Sequence, residues 1–158
     1  GILERTYEAF RCIQAQEAWA TLGSWIAATN PAFGPGVGER FAAARAMDPG
    51  KVADARRFRL RFAQRVRAVL AGGGVLAYPT SPIPAPLLTA SQAEQDAVRQ
   101  RSMGVTAIAG LAGLPEVSIP AGQVNGAPVG LSLVAAPGRD RALLALAEQL
   151  SAALGLEA

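Results

Sequence analysis

Histidine is missing from all 158 positions of this chain. Its absence excludes Ser-His-Asp and Cys-His catalytic arrangements and His-ligated zinc within these residues, because each needs imidazole as base or ligand. Lysine is nearly missing as well. Lys51 stands alone against fourteen arginines, in the first turn of a predicted helix where it is expected to be exposed. One cysteine, Cys12, leaves no internal disulfide and reads as a small core residue. No run reaches the roughly 18 apolar residues of a bilayer crossing, and GILERTYEAF lacks the basic start and apolar centre of a signal peptide. The expected compartment is the cytoplasm, with no membrane, cofactor or metal.

What is present is largely apolar. Hydrophobic residues make up 51% of the chain, enough for a substantial core, and the length suits one domain or a large part of a bigger one. No repeat or linker divides it. Residues 1–158 are therefore read as a single domain portion.

Apolar residues at three- or four-residue steps predict a helix over 3–29, through Leu3, Tyr7, Phe10, Ile13, Trp19, Leu22 and Ile26. Asn30-Pro31 and Gly34-Pro35-Gly36 end it. A short helix over 38–46 follows. Asp48-Pro49-Gly50 then supplies a capping oxygen and a first-turn proline for a helix over about 51–71. Its buried stripe is Ala55, Phe58, Phe62, Val66 and Val69, with Arg56, Arg57, Arg61 and Arg67 turned away and Arg59 and Arg65 nearer the edges. Gly72-Gly73-Gly74 stops that helix. Because it precedes a strand and follows a helix, the triplet is a helix stop and not a phosphate-cradling loop.

A short strand is expected over 75–78, followed by an extended loop through Pro79, Pro82, Pro84 and Pro86. Residues 91–102 read as a helix, and 103–111 is able to extend it. The segment 106–138 then predicts a tight turn over 110–115, a strand over 116–120, a reversal at Asn125-Gly126 and a strand over 128–135. A connection this short makes the pair antiparallel, and earlier segments are expected to pack around the hairpin. Asp140 opens a last helix whose inner face is Leu143, Leu146, Ala147, Leu150 and Leu154.

Few residues invite a chemical reading. Pro79, Thr80 and Ser81 lie where a strand gives way to a rigid loop, the place where open α/β sheets hold ligands. The alternative is turn chemistry, with the hydroxyls bonding nearby backbone. Six arginines between Arg56 and Arg67 suggest a surface for RNA or an acidic partner. No aromatic platform accompanies them and the net charge is only +3, so a solvated helix face is the favoured reading and nucleic acid the disfavoured one. Trp19 and Trp25 point about 120° apart on a helix, which leaves at least one of them to packing.

The series VLAYPTSPIPAP, GLAGLPEVSIPAG and GAPVGLSLVAAPGRDRALLALAEQL resembles the C-terminal half of amidase signature enzymes, in the same order and at similar spacing. The resemblance implies an α/β fold with a large mixed sheet flanked by helices, of which this chain would hold only the C-terminal part. It also implies hydrolysis of a small-molecule amide to a carboxylate and ammonia or an amine. The family works through a nucleophilic serine, a second serine on a cis peptide bond and a lysine base, the serines coming from a glycine- and serine-rich run. No such run occurs here and Lys51 is not in that lysine's context. No catalytic residue is carried over, and the chain is expected to be inactive alone, its partner being the N-terminal catalytic portion of the same enzyme. A helical pattern that starts at Gly1 with no cap before it fits a chain beginning inside a larger fold. Pro79, Thr80 and Ser81 become the expected wall of the substrate pocket. Gly110, where many members carry asparagine, is more like the branch with plant indole-acetamide hydrolases, which implies small aryl or alkyl amides.

Overall fold

In the computed structural model, which describes residues 1–155, the first apolar period forms α1 (Ile2–Thr29). The last three positions of the 1–158 span lie outside the described residues. Asn30 ends α1 in the left-handed region, at φ 42°, and Pro31 prevents its continuation. A short helix, α2 (Val37–Arg45), follows. Asp48 then accepts a hydrogen bond from the Gly50 amide at 2.9 Å and opens α3 (Pro49–Leu70). Past the glycine stop comes the short strand β1 (Leu76–Pro79).

Ser91 and Glu94 cap each other's backbone at the start of α4 (Gln92–Ala112), the reciprocal pattern that satisfies two orphan amides. The expected turn over 110–115 is displaced. The helix carries on to Ala112, because Gly113, at φ 62°, is the residue able to take the left-handed C-terminal position. The hairpin follows as β2 (Glu116–Val124) and β3 (Ala127–Val134), reversing at Asn125 and Gly126 with φ of 52° and 78°. β2 is longer than 116–120: pairing is interrupted between Pro120 and Gly122 by a register shift and then resumes. The last element is α5 (Asp140–Ala153).

The strands form one sheet in the order β1-β3-β2, antiparallel throughout. This is the helix-flanked α/β arrangement expected of the chain. On one face Val117 and Ile119 pair with Leu133 and Leu131, and this row packs on Leu143 and Ala147 of α5. On the other, Val134 meets Leu70 of α3 and Ala109 of α4, with Leu76 and Tyr78 alongside. A third core joins the helices, with Ala9, Cys12 and Ile13 of α1 against Val52 and Ala55 of α3 and Ala107 and Leu111 of α4. The hairpin is thus not the hub. Most helical packing centres on α1, which meets α2, α3 and α4.

Four residues of the expected apolar stripes are exposed instead. Val69 is 68% exposed while Leu70 is buried, because the end of α3 leaves α1 and turns to the sheet. Leu154 lies past the end of α5 and is exposed, and Leu3 and Leu22 of α1 are exposed as well. Two arginines also have definite work. Arg59 and Arg67 donate through Nε to the carbonyls of Leu111 and Ala112, at 3.2 and 2.8 Å. Both cations neutralise the carbonyl-rich end of α4, so Arg67, though exposed, is tied to α4 by its guanidinium.

Candidate functional site

The end of β1 is where side chains capable of chemistry converge. Tyr78 pairs with Ser132 on β3, and Ser132 pairs with Ser118 on β2. Directly opposed residues in antiparallel strands project to the same face. The next row toward the loop is Thr80 beside Gly130, tied by a hydrogen bond from the Thr80 amide to the Gly130 carbonyl at 2.9 Å. Glycine leaves this row empty, and Thr80 fills the space. Its Oγ1 lies 2.6 Å from Ser118 Oγ and accepts from Ser132 Oγ at 3.0 Å. Three hydroxyls are thereby joined, graded from fully buried Ser132 through half-buried Thr80 to exposed Ser118.

The three residues expected to wall a substrate pocket fare differently. Thr80 is the centre of the hydroxyl cluster. Ser81 donates to the carbonyl of Ile83 at 2.7 Å and lies 3.2 Å from Ser102 Oγ of α4, which is turn chemistry plus one tie to the helical layer. Pro79 is exposed and closes β1 opposite Leu131. Ser118 and Ser132 lie within the motif stretches, but nothing in the local sequence marks either as a site residue. Their role depends on β3 lying between β1 and β2, an order the hairpin pattern does not disclose.

Beside the cluster, Tyr78 donates to Glu116 Oε1 at 3.1 Å. Burial, then the charge of Glu116 and the hydrogen bond to it, push the phenol well above its ordinary value. The unfolded chain releases this proton near pH 10, whereas the folded chain keeps it. The contribution is therefore complete below about pH 10 and lost as pH rises further. Thermal unfolding followed between neutral and strongly alkaline pH should show a steeper loss of stability in the wild type than in Tyr78→Phe.

A second feature lies on the helical side. A groove of about 840 Å³ runs between α1, α2 and α4, with Tyr7, Phe41, Met47 and Met103 among its walls and Arg11 and Arg99 beside them. A mostly apolar concavity with a few charged groups is the usual form of a small-molecule site. Met103 follows directly on Ser102, the residue tied to Ser81. The groove walls are spread over three helices and Met47, so no one stretch of sequence marks it.

The remaining candidates are structural. Cys12 is buried against Met47, its sulfur 3.8 Å from the thioether, and burial raises its thiol above the ordinary value, which disfavours the nucleophilic thiolate. Trp19 packs over Gly23 and faces Arg45; Trp25 is exposed. Arg56 donates to Gln16 at 2.8 Å and Arg57 pairs with Asp54. With Arg59 and Arg67 on α4, the arginine run is largely engaged within the chain. Lys51 is exposed, and among the described residues it makes no hydrogen bond to a serine. Among those residues no group of acidic, cysteine or histidine side chains is placed to hold a metal, and no helix is long and apolar enough to cross a membrane.

Comparison with known proteins decides the family. The family model described as Amidase matches residues 4–144. The chain belongs to the amidase family. It is 36% identical over 144 residues to Amidase 1 of Arabidopsis thaliana, covering 91% of this chain and 34% of that protein. Amidase 1 of Oryza sativa subsp. japonica is 38% identical over 141 residues, covering 89% and 32%. A solved amidase structure superposes with a TM-score of 0.82 at 28% identity, over 96% of this chain and 36% of that one. The chain thus spans about a third of the length of these relatives. Amidase membership accords with the sequence motifs, whereas the indole-acetamide hydrolase branch is a finer distinction than these matches draw.

Proposed function

We propose that these residues form the C-terminal portion of an amidase domain, and that the whole enzyme hydrolyses small aryl or alkyl carboxamides to a carboxylate and ammonia or an amine. The observation that carries this reading is a family match along nearly the whole chain by a sequence that spans only a third of its relatives. The reacting groups belong, on this reading, to an N-terminal portion bearing the family's two serines and lysine, and residues 1–158 alone are inactive. We infer a cytoplasmic location for the same enzyme.

Two features of the chain support a division of labour on this reading. The hydroxyl cluster at Thr80, with Pro79 and Ser81 beside it, offers hydrogen bonds to a polar amide end. The groove bounded by Tyr7, Phe41 and Met103 offers an apolar wall to the group the amide is attached to. An aromatic and thioether lining suits an aryl or short alkyl substituent and supports the indole-acetamide hydrolase-like branch. The alternative, an RNA-binding arginine helix, loses support because Arg56, Arg59 and Arg67 are held by neighbours in the chain.

The test is a panel of primary amides ranked by kcat/KM in the enzyme that contains this chain. Aryl and short alkyl amides should lead, and Phe41→Ala should lower kcat/KM for aryl amides by about tenfold while changing acetamide little, since an aromatic contact and its buried area are worth roughly 1–2 kcal/mol. A preference for glutamine over all of them would refute the branch assignment.

A further inference from the structure

We propose that Ser118 is a positioning residue whose hydroxyl donates to the carbonyl oxygen of the bound carboxamide, its proton aimed there by a hydrogen-bond chain that starts at buried Ser132. This deepens the amidase reading and rests on it. Ser132 is fully buried and donates to Thr80 Oγ1. Thr80 therefore accepts at that oxygen and has one proton of its own to place. The partner within reach is Ser118 Oγ, 2.6 Å away. If Ser118 donated to Thr80 instead, the Thr80 proton would have no acceptor among the described residues. Full satisfaction of a partly buried hydroxyl thus fixes the sense of the chain as Ser132 to Thr80 to Ser118. What is left at its end is the Ser118 proton, on an exposed side chain.

Two further observations point to a built arrangement. A Cβ at position 130 would lie 2.9 Å from both Ser118 Oγ and Thr80 Oγ1, so the strand between them is bare where the hydroxyls meet. Immediately beyond Ser118, the register of β2 against β3 shifts between Pro120 and Gly122, an irregularity of the kind that re-aims a strand beside a site. A neutral donor whose proton direction is preset suits a carbonyl oxygen, which accepts and has nothing to donate.

The experiment is steady-state kinetics of the enzyme containing this chain on a primary aryl amide. Ser118→Ala should raise KM by about three- to tenfold, the range one hydrogen bond supplies, with kcat changed less. Ser118→Thr should restore KM. Thr80→Val should raise KM similarly, and the Thr80→Val/Ser118→Ala double variant should be no worse than the poorer single one, because both break the same hydrogen-bond chain to substrate. Wild-type KM in Ser118→Ala, or losses that multiply in the double variant, would overturn this inference and leave the amidase reading standing. A wild-type enzyme that hydrolyses no amide would overturn both.

Discussion

Gly104→Val is expected to lower the thermal midpoint of the protein by roughly 5–15 °C, the shift that about 2–4 kcal/mol produces in a domain of this size. Gly104 is buried where α4 crosses α1. A Cβ there would lie 2.7 Å from the carbonyl oxygen of Leu3, a backbone atom held in α1 that has no rotamer by which to retreat. The same crossing is tied by Thr6, whose fully buried hydroxyl lies 2.7 Å from the Gly104 carbonyl and 2.8 Å from that of Leu3. Forcing the helices apart therefore strains the packing and breaks a buried hydrogen bond together. Gly110→Ala, in the same helix, is the control. Its new Cβ would meet Phe10 at an ordinary 3.6 Å, and alanine favours the helix, so the midpoint should hold or rise slightly. Equal losses at the two positions would show that close helix approach is not what Gly104 permits.

The second large effect is on substrate recognition. Gly130→Val should raise KM for an aryl amide by more than tenfold, since its side chain occupies the space in which Thr80 and Ser118 meet and removes at least one hydrogen bond worth about 1 kcal/mol while crowding the site. The clash here is with side-chain hydroxyls able to swing away, unlike the fixed backbone opposite Gly104. The thermal midpoint should consequently fall less than in Gly104→Val. A variant with normal KM would remove the hydroxyl cluster from substrate binding.

Much of the fold is readable from local pattern because local chemistry determines it. The apolar period of α1, the Asp48-Pro49 start of α3 and the Asn125-Gly126 reversal each carry their own physical cause, and each lies where the residues indicate. The misplaced features are those decided by distant partners. Val69 and Leu70 are equally plausible on a helical stripe, and only contact with Val134 selects Leu70. Pro120 looks like the end of a strand, yet a register shift lets pairing resume at Gly122. Arg67 looks like one more solvated arginine until the end of α4 is brought beside it.

The candidate site divides the same way. Thr80 is legible because a hydroxyl at the junction of a strand and a proline-rich loop stands out in sequence. Ser118 and Ser132 are two ordinary strand residues until β3 is seen to lie between β1 and β2. The groove walls are scattered from Tyr7 to Met103 and become neighbours through helix packing alone. Family motifs identify the family through residues that make turns and sheet, whereas the proposed substrate contacts come from register and packing.

The most direct test is ammonia release from a primary aryl amide, measured for residues 1–158 alone and for the same residues joined to an N-terminal portion bearing the serines and lysine. The expected result is ammonia from the joined protein and none from residues 1–158 alone. Steady hydrolysis by the isolated residues would contradict the proposal that the reacting groups lie outside them.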